Sequence, residues 1–376
     1  MKTTILAVGD IGPSRPDPSQ CFALSNDLLH SADLAVCQLE FNLSNRGSRL
    51  PQVRHTDRSP PETALVIRDA GFHVVTFAGN HCMDWGAEAF FDTIGALKHA
   101  GLDVVGVGAT IAEARQPAIR TVGGQKIAFL SASSILPHDF WATEKRPGCV
   151  PMRAHTVYEQ IEQDQPGTPA RIHTFAFRDD LEALSRDVRA AKVQADIVIV
   201  SMHWGIHFVP AVIADYQREV GHALIDAGAD LILGHHAHIL KGIEIYRGKA
   251  IFYSLGNFAI DLPMTQEHAA SKGFREIQAL SPGWEPDFTS LYNFPPDSRM
   301  TMIVRIDIEG GAIKAVGFYP AFINSNAQPA PVSADDPRFA KIAEYIRWCC
   351  AEAGFKTDMQ PVGDLIWLTS IGSAGN

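Results

Sequence analysis

Leu231-Ile-Leu-Gly-His-His-Ala-His-Ile-Leu240 is an apolar run that reaches Gly234 and then presents three histidines in four residues. A short run of Leu and Ile closed by glycine reads as a buried strand. Gly234 lets the backbone leave that strand at an angle a bulkier residue resists. His236 and His238 stand two apart, so in an extended segment they point the same way. Neutral imidazoles on one side of a strand end suit a divalent transition metal. A second apolar run, Ile251-Phe-Tyr-Ser-Leu-Gly-Asn-Phe258, follows closely.

Outward from this stretch the same device recurs. Thr4 to Val8 ends in Gly9-Asp10, and Leu34 to Leu39 ends in Glu40. Residues 73–78 end in Gly79-Asn80-His81, and Ile197 to Met202 ends in His203-Trp204-Gly205. Helical periodicity fills the intervals, over residues 19–30, 61–70, 85–100, 179–194 and 213–226. Alternating strands and helices specify an α/β fold with a largely parallel sheet, in which ligands bind beyond the carboxyl ends of the strands. Taken singly, Asp10 reads equally as a helix cap and Glu40 as an exposed strand end. Taken together, polar groups on four independent strands converge on a metal site.

Residues 134–172 show no clear period, and residues 262–300 are rich in proline and aromatics; both read as insertions, the second as a cover for the site. Residues 302–308 and 313–319 alternate as antiparallel strands around Glu309-Gly-Gly311. A helix over 335–353 and a last strand over Leu365 to Ser370 complete the reading. The expected organisation is one body over 1–325, with 326–376 as an extension packed on it.

The chain has 376 residues, 46% hydrophobic and 20% charged, which fits a globular protein with a large core. Its net charge of −10, with no Lys/Arg-rich run, argues against a nucleic-acid partner. No apolar stretch approaches a membrane span, and residues 1–10 lack the apolar core of a signal peptide. The six cysteines show no Cys-x-x-Cys spacing and read as free thiols. A cytoplasmic location without a membrane anchor is the expectation, with a small-molecule or peptide-like substrate as partner and homo-oligomerisation open.

In order, Gly9-Asp10, Leu39-Glu40, Gly79-Asn80-His81, His203-Trp204-Gly205, Gly234-x-His236-x-His238 and Tyr253-x-x-Gly256-Asn257-Phe258 resemble the motifs of the CapA-type proteins. That family is named for capsule and poly-γ-glutamate synthesis and is related to the calcineurin-like metallophosphoesterases. The resemblance covers roughly residues 4–322. It implies a four-layer α/β sandwich with metal at the carboxyl ends of the strands. It also implies one or two divalent ions (Mn, Fe or Zn) on Asp10, Glu40, Asn80, His203, His236 and His238, with His81 as acid/base beside them. Glu40 stands where the phosphoesterases usually carry a bridging aspartate. Gly12 stands where they usually carry a histidine two residues after the first aspartate.

Around these positions, Asn257 reads as a substrate-binding hydrogen-bonder of the pocket or as a turn former. Arg146 reads as a bidentate clamp for a carboxylate or phosphate, or as a solvated loop arginine. Trp204, Phe258 and Trp85 read as pocket walls, while His99, His207 and His222 read as surface or packing residues. The implied activity is metal-dependent hydrolysis of a phosphoester, or of an amide of an acidic or peptide-like compound. The alternatives are a metal-dependent epimerase or isomerase in the same pocket, and a non-catalytic subunit of a polymer-synthesis complex.

Overall fold

The structure, a computed structural model, describes residues 2–53, 57–369 and 371–372. Ser370, the end of the expected last strand, and positions 54–56 lie outside the described residues.

Two large sheets carry the fold. The first is ten-stranded. Eight strands run in the order Met359–Val362, Leu365–Leu368, Ala312–Ile323, Met300–Glu309, Lys2–Gly12, Leu34–Leu39, Val74–Thr76, Asp103–Val105; off this path Asn257–Ile260 pairs with Lys2–Gly12 and Pro329–Pro331 with Ala312–Ile323. From Lys2–Gly12 to Asp103–Val105 all neighbours are parallel. The second sheet has six strands, ordered Ile243–Tyr246, Lys249–Phe252, Leu231–His235, Ile197–His203, Gln125–Ser133, Ala118–Val122, with the four middle strands parallel.

Side-chain alternation explains why the sheets stack. In Lys2–Gly12, Ile5 and Ala7 join the core shared with the second sheet, while Leu6 and Val8 join the core on the opposite face. Leu34–Leu39 divides in the same way: Leu34 and Val36 on one side, Ala35, Cys37 and Leu39 on the other. The outer core is closed by Ile67 of helix Thr63–Asp69 and by Phe90 and Leu97 of helix Gly86–His99. On the far side, helices Arg178–Gln194 and Asp215–Ala227 contribute Leu184, Val188, Val220 and Leu224. The result is four layers, helix–sheet–sheet–helix. Ile197–His203 is buried at every position, as a parallel strand covered on both faces requires. Helix Pro337–Glu352 adds Phe339, Ile342 and Ile346 to the same core, and Leu365–Leu368 pairs with Ala312–Ile323.

Two local expectations are corrected. Gly234 does not release the chain: it lies inside Leu231–His235, and a Cβ there would sit 2.3 Å from the Tyr253 carbonyl oxygen, so close strand packing is what requires it. Residues 134–172 are not wholly irregular, because Ala154–Gln160 pairs with Ala170–Ala176 in an antiparallel ribbon. That ribbon is largely exposed, so no burial pattern betrays it in the sequence. Residues 262–300 hold two short helices, Gln266–Ala270 and Lys272–Gln278, together with a turn at Pro296–Arg299.

Candidate metal centre

The first strand switches neighbours as it reaches the site. Met300–Glu309 pairs with it as far as Val8, and from Asp10 onward Asn257–Ile260 takes over, with Asp10 opposite Asn257. Gly9 makes that exchange possible: a Cβ there would lie 1.9 Å from the Gly256 carbonyl oxygen. Asp10 therefore emerges fully buried, at a bulge between the first and second strands.

Asp10 is held by the histidine-rich turn. His235 Nδ1 lies 2.9 Å from Oδ1, and the His236 backbone N–H donates to Oδ2 at 3.1 Å. Burial opposes ionisation of this carboxyl, but the contact with His235 prevails and holds its pKa below the ordinary value. The turn is not extended beyond His235. His236 and His238 both adopt left-handed conformations, with φ of 82° and 56°. The expectation that period two aligns their side chains is thus overturned. Non-glycine residues in that region cost about 1–3 kcal/mol each and persist only where their surroundings impose them.

His238 is oriented from behind. Its Nδ1 lies 2.7 Å from Asn257 Oδ1, Asn257 Nδ2 donates to the Tyr292 hydroxyl at 2.8 Å, and that hydroxyl donates to the Ser298 carbonyl at 2.6 Å. Each step fixes the next, so Nδ1 carries the proton and Nε2 presents a lone pair. That Nε2 lies 3.6 Å from Glu40 Oε1. Asn257 is completely buried and serves His238; its expected place in the substrate pocket is corrected.

Asp10, Glu40 and His238 each offer a donor atom, all within 4.8 Å of one another. Glu40 is 5% exposed, and neither of its oxygens has a hydrogen-bond partner among the described residues. Burial, then the neighbouring Asp10, pushes its carboxyl up to about 8. A buried carboxyl beside a second carboxylate, with no donor, is costly alone, and a divalent cation satisfies both. The residues fit such an ion.

Asn80 and His203 meet each other, with Asn80 Oδ1 2.7 Å from His203 Nε2. The His203 ring centroid is 4.9 Å from that of His236. Burial drives His203 down to about 3 and His236 well below the ordinary histidine value, so both are neutral and able to ligate. The six side chains expected to hold metal thus come from the carboxyl ends of strands of both sheets, Asp10, Glu40 and Asn80 from the first and His203, His236 and His238 from the second. His81 faces them: its Nε2 is 3.9 Å from Glu40 Oε1 and its Nδ1 2.6 Å from Asp84 Oδ2. Burial acts against a charge on His81, yet Asp84 and then Glu40 outweigh it and raise the imidazole to about 9.

Other expectations change. Trp204 is fully buried, donates its indole N–H to the Tyr253 carbonyl at 3.0 Å and stacks on Tyr253; it is a core residue and does not line the pocket. Phe258 is likewise fully buried. Trp85 lies under the Arg58 guanidinium, 3.9 Å from its ring centroid. Arg146 is engaged by Asp139 and lies over Trp141. His207, expected at the surface or in packing, joins the cluster with its ring centroid 3.9 Å from that of His236. His235 and Asp84 were also missed; the triple-histidine motif pointed to the first, and an acid three residues after His81 could have pointed to the second.

Among the described residues, no helix is long and apolar enough to cross a membrane. Residues 4–262 match the model of the bacterial capsule synthesis protein family PGA_cap. The "PGA biosynthesis protein CapA" of Bacillus subtilis (strain 168) is 34% identical over 206 residues, 54% of this chain and 47% of that protein. The "Capsule biosynthesis protein CapA" of Bacillus anthracis is 33% identical over 205 residues, 54% of this chain and 44% of that protein. The chain thus spans about half the length of the curated relatives it matches. Among solved structures, the calcineurin-like phosphoesterase YfkN of Bacillus subtilis aligns with a TM-score of 0.42 and 13% identity, over 94% of this chain and 97% of that one. With the family model matched from the first strand through Asn257–Ile260, the chain belongs to the bacterial capsule synthesis protein family PGA_cap.

Proposed function

We propose that the chain is a metal-dependent hydrolase acting on an amide of an acidic, peptide-like compound or on a phosphoester. One observation carries the reading: a buried Glu40 carboxyl, without a hydrogen-bond partner among the described residues, faces Asp10 and His238, and His81 Nε2 stands 3.9 Å from its Oε1. Divalent ions of the Mn, Fe or Zn type, bound there, supply a Lewis acid and lower the pKa of a water molecule. Asp10, Glu40 and His238 would hold one ion, and Asn80, His203 and His236 a second. Asn257 keeps the His238 lone pair turned toward the carboxylates. His81, charged through its contact with Asp84, delivers a proton from Nε2 to the leaving group.

An epimerase needs two flanking bases, and a histidine held cationic is a poor one; this favours hydrolysis. The non-catalytic reading draws on names, since a relative in Mycobacterium tuberculosis (strain ATCC 25618 / H37Rv), 36% identical over 235 residues, is named "Probable polyglutamine synthesis accessory protein Rv0574c". Metal analysis of purified protein, with a panel of γ-glutamyl amides and phosphate mono- and diesters, separates the readings. We expect bound metal and turnover of one substrate class, abolished by chelation. Bound metal without turnover of any class would leave the accessory role standing.

A further inference from the structure

We propose that Arg58, stacked on Trp85 beside the centre of Asp10, Glu40 and His238, is a substrate clamp. It takes a free carboxylate of an acidic amide, one that stands apart from the bond to be cut. This deepens the hydrolase reading above and rests on it.

Placement is the first observation. Arg58–Ser59 pairs in parallel with Asn42–Leu43, Arg58 opposite Asn42. Asn42 stands two residues after Glu40, so the Cα atoms of Arg58 and Glu40 are at most about 12 Å apart. Asp57 Oδ2 accepts from the Ser14 hydroxyl at 2.6 Å, and the Ser59 hydroxyl donates to the Pro13 carbonyl at 2.6 Å. Pro13 and Ser14 directly continue the strand that delivers Asp10. On the opposite flank the Trp85 indole N–H donates to the Asp57 carbonyl at 3.2 Å. Asn42 accepts from the Trp85 backbone N–H at 3.4 Å and donates to the Cys82 carbonyl at 2.8 Å. Residues 82–85 continue the turn that carries His81. The continuations of Asp10, Glu40 and His81 thus meet around one arginine.

The second observation is which edge of the guanidinium is open. Its carbon lies 3.9 Å from the Trp85 ring centroid, and such a stack leaves the N–H donors free in the plane of the group. Nη1 donates to the Arg46 carbonyl at 3.1 Å. Among the described residues, Nε and Nη2 of Arg58 have no hydrogen-bond partner, and no carboxylate forms an ion pair with it. That edge is the one on which this protein seats carboxylates elsewhere. Arg46 grips Asp92 through Nε and Nη2, at 2.9 and 2.5 Å, and Arg153 grips Asp180 through the same pair, at 2.7 and 2.8 Å. Arg58 offers the same fork with nothing in it.

The third observation is a need. Asp10, Glu40 and Asp84 are all buried around the centre, so an acidic substrate arrives among carboxylates. A fixed guanidinium offsets that repulsion and sets orientation by two parallel hydrogen bonds. Arg146, the clamp expected from the sequence, is already taken by Asp139 and cannot do this.

γ-Glutamyl-p-nitroanilide and the same compound with its α-carboxyl amidated test the clamp, on wild type, Arg58→Met and Arg58→Lys. Methionine keeps an unbranched stem on Trp85 without the charge; lysine keeps the charge without the fork. Dissociation constants are read by NMR titration of the chelated protein, and kcat/KM on the metal-loaded protein. Wild type should bind the free carboxylate about tenfold or more tighter than the amidated compound. Arg58→Met should abolish that preference and Arg58→Lys weaken it, with wild-type metal content and melting temperature in both. Equal affinity of wild type for the two compounds, or a preference that survives Arg58→Met, would overturn the clamp. So would an equal loss of kcat/KM on bis(p-nitrophenyl) phosphate, which carries no carboxylate. Wild-type protein that takes up no metal would instead sink the hydrolase reading, while the titration, made without metal, still decides Arg58.

Discussion

His81 Nδ1 lies 2.6 Å from Asp84 Oδ2, and the opposite nitrogen of the same ring lies 3.9 Å from Glu40 Oε1. One imidazole thus spans a buried positioning carboxylate and a carboxylate of the candidate metal centre. The arrangement fixes the ring and keeps it charged at neutral pH.

A pH-dependence follows from that pair. The folded pKa of His81, about 9, lies above the unfolded value of 6.5, so the proton is retained up to about pH 9 and its stabilising effect, complete below 6.5, fades through that point. Cations on Asp10 and Glu40 would cancel their share of that shift and leave the Asp84 contribution, so turnover limited by proton delivery should fall on the alkaline side at a pH below about 9. Asp84→Asn should bring that limb down by about 1–2 units. His81→Ala should cost roughly a hundredfold or more with poor leaving groups and much less with good ones. An unshifted limb in Asp84→Asn would assign it to another group.

Glu40 gives the same sign for the opposite reason: here the charged form is the disfavoured one. Its folded pKa, raised to about 8 from 4.5, means that metal-free protein loses stability as pH rises through that interval. Glu40→Gln removes the burdened charge. With metal chelated, the variant should be more stable than wild type at pH 9 by up to a few kcal/mol, and close to it at pH 4.5. Adding Zn²⁺ or Mn²⁺ should reverse the order, since wild type alone gains the ion. Thermal melts at the two pH values, with and without metal, check both halves.

Gly9 couples fold to site. Gly9→Ala puts a methyl 1.9 Å from the Gly256 carbonyl, where only backbone movement relieves the contact. A cost of at least a few kcal/mol is expected, with weakened metal binding because Asp10 and Asn257 lose their register. Gly95, inside helix Gly86–His99 with nothing within 4 Å of its Cβ position, is the control: Gly95→Ala should stabilise by about 0.5–1 kcal/mol. Equal melting temperatures for the two variants would contradict the strand-exchange account.

The legibility of this chain divides along a physical line. Strands whose apolar runs end in Asp10, Glu40 and His203 announce both layer and site, because burial on two faces leaves an unbroken apolar signature. Helix Gly86–His99 was legible to within a residue or so, because its apolar spacing matches its buried face. The ribbon of Ala154–Gln160 and Ala170–Ala176 was not, because an exposed pair has no inside to encode. His207 escaped notice for another reason: it sits between strands, and only the folding of its loop over Ala237 brings it to His236. His236 and His238 were read as ligands through a wrong geometry, since positive φ values cannot be inferred from residue spacing.

Tyr292 offers a test of how far the metal centre reaches into residues 262–300. Its hydroxyl accepts from Asn257 Nδ2 and donates to the Ser298 carbonyl, and all three residues are buried. The Asn257 amide is thereby locked with its oxygen toward His238 Nδ1, which sets the tautomer that leaves Nε2 free. Tyr292→Phe removes both bonds but keeps the ring. It strands the Ser298 carbonyl and the Asn257 amide, at about 1–3 kcal/mol for each unpaired buried group. The amide is then free to turn, and the loss of orienting partners behind a metal-bound histidine typically weakens affinity by about 10–100-fold. Chelator competition should show that drop in Tyr292→Phe, and a comparable one in Asn257→Ala. Nitrogen NMR of histidine-labelled, metal-free protein should show His238 moving from a single Nδ1–H tautomer to a mixture. A destabilised Tyr292→Phe protein with unchanged metal affinity and an unchanged tautomer would confine Tyr292 to packing.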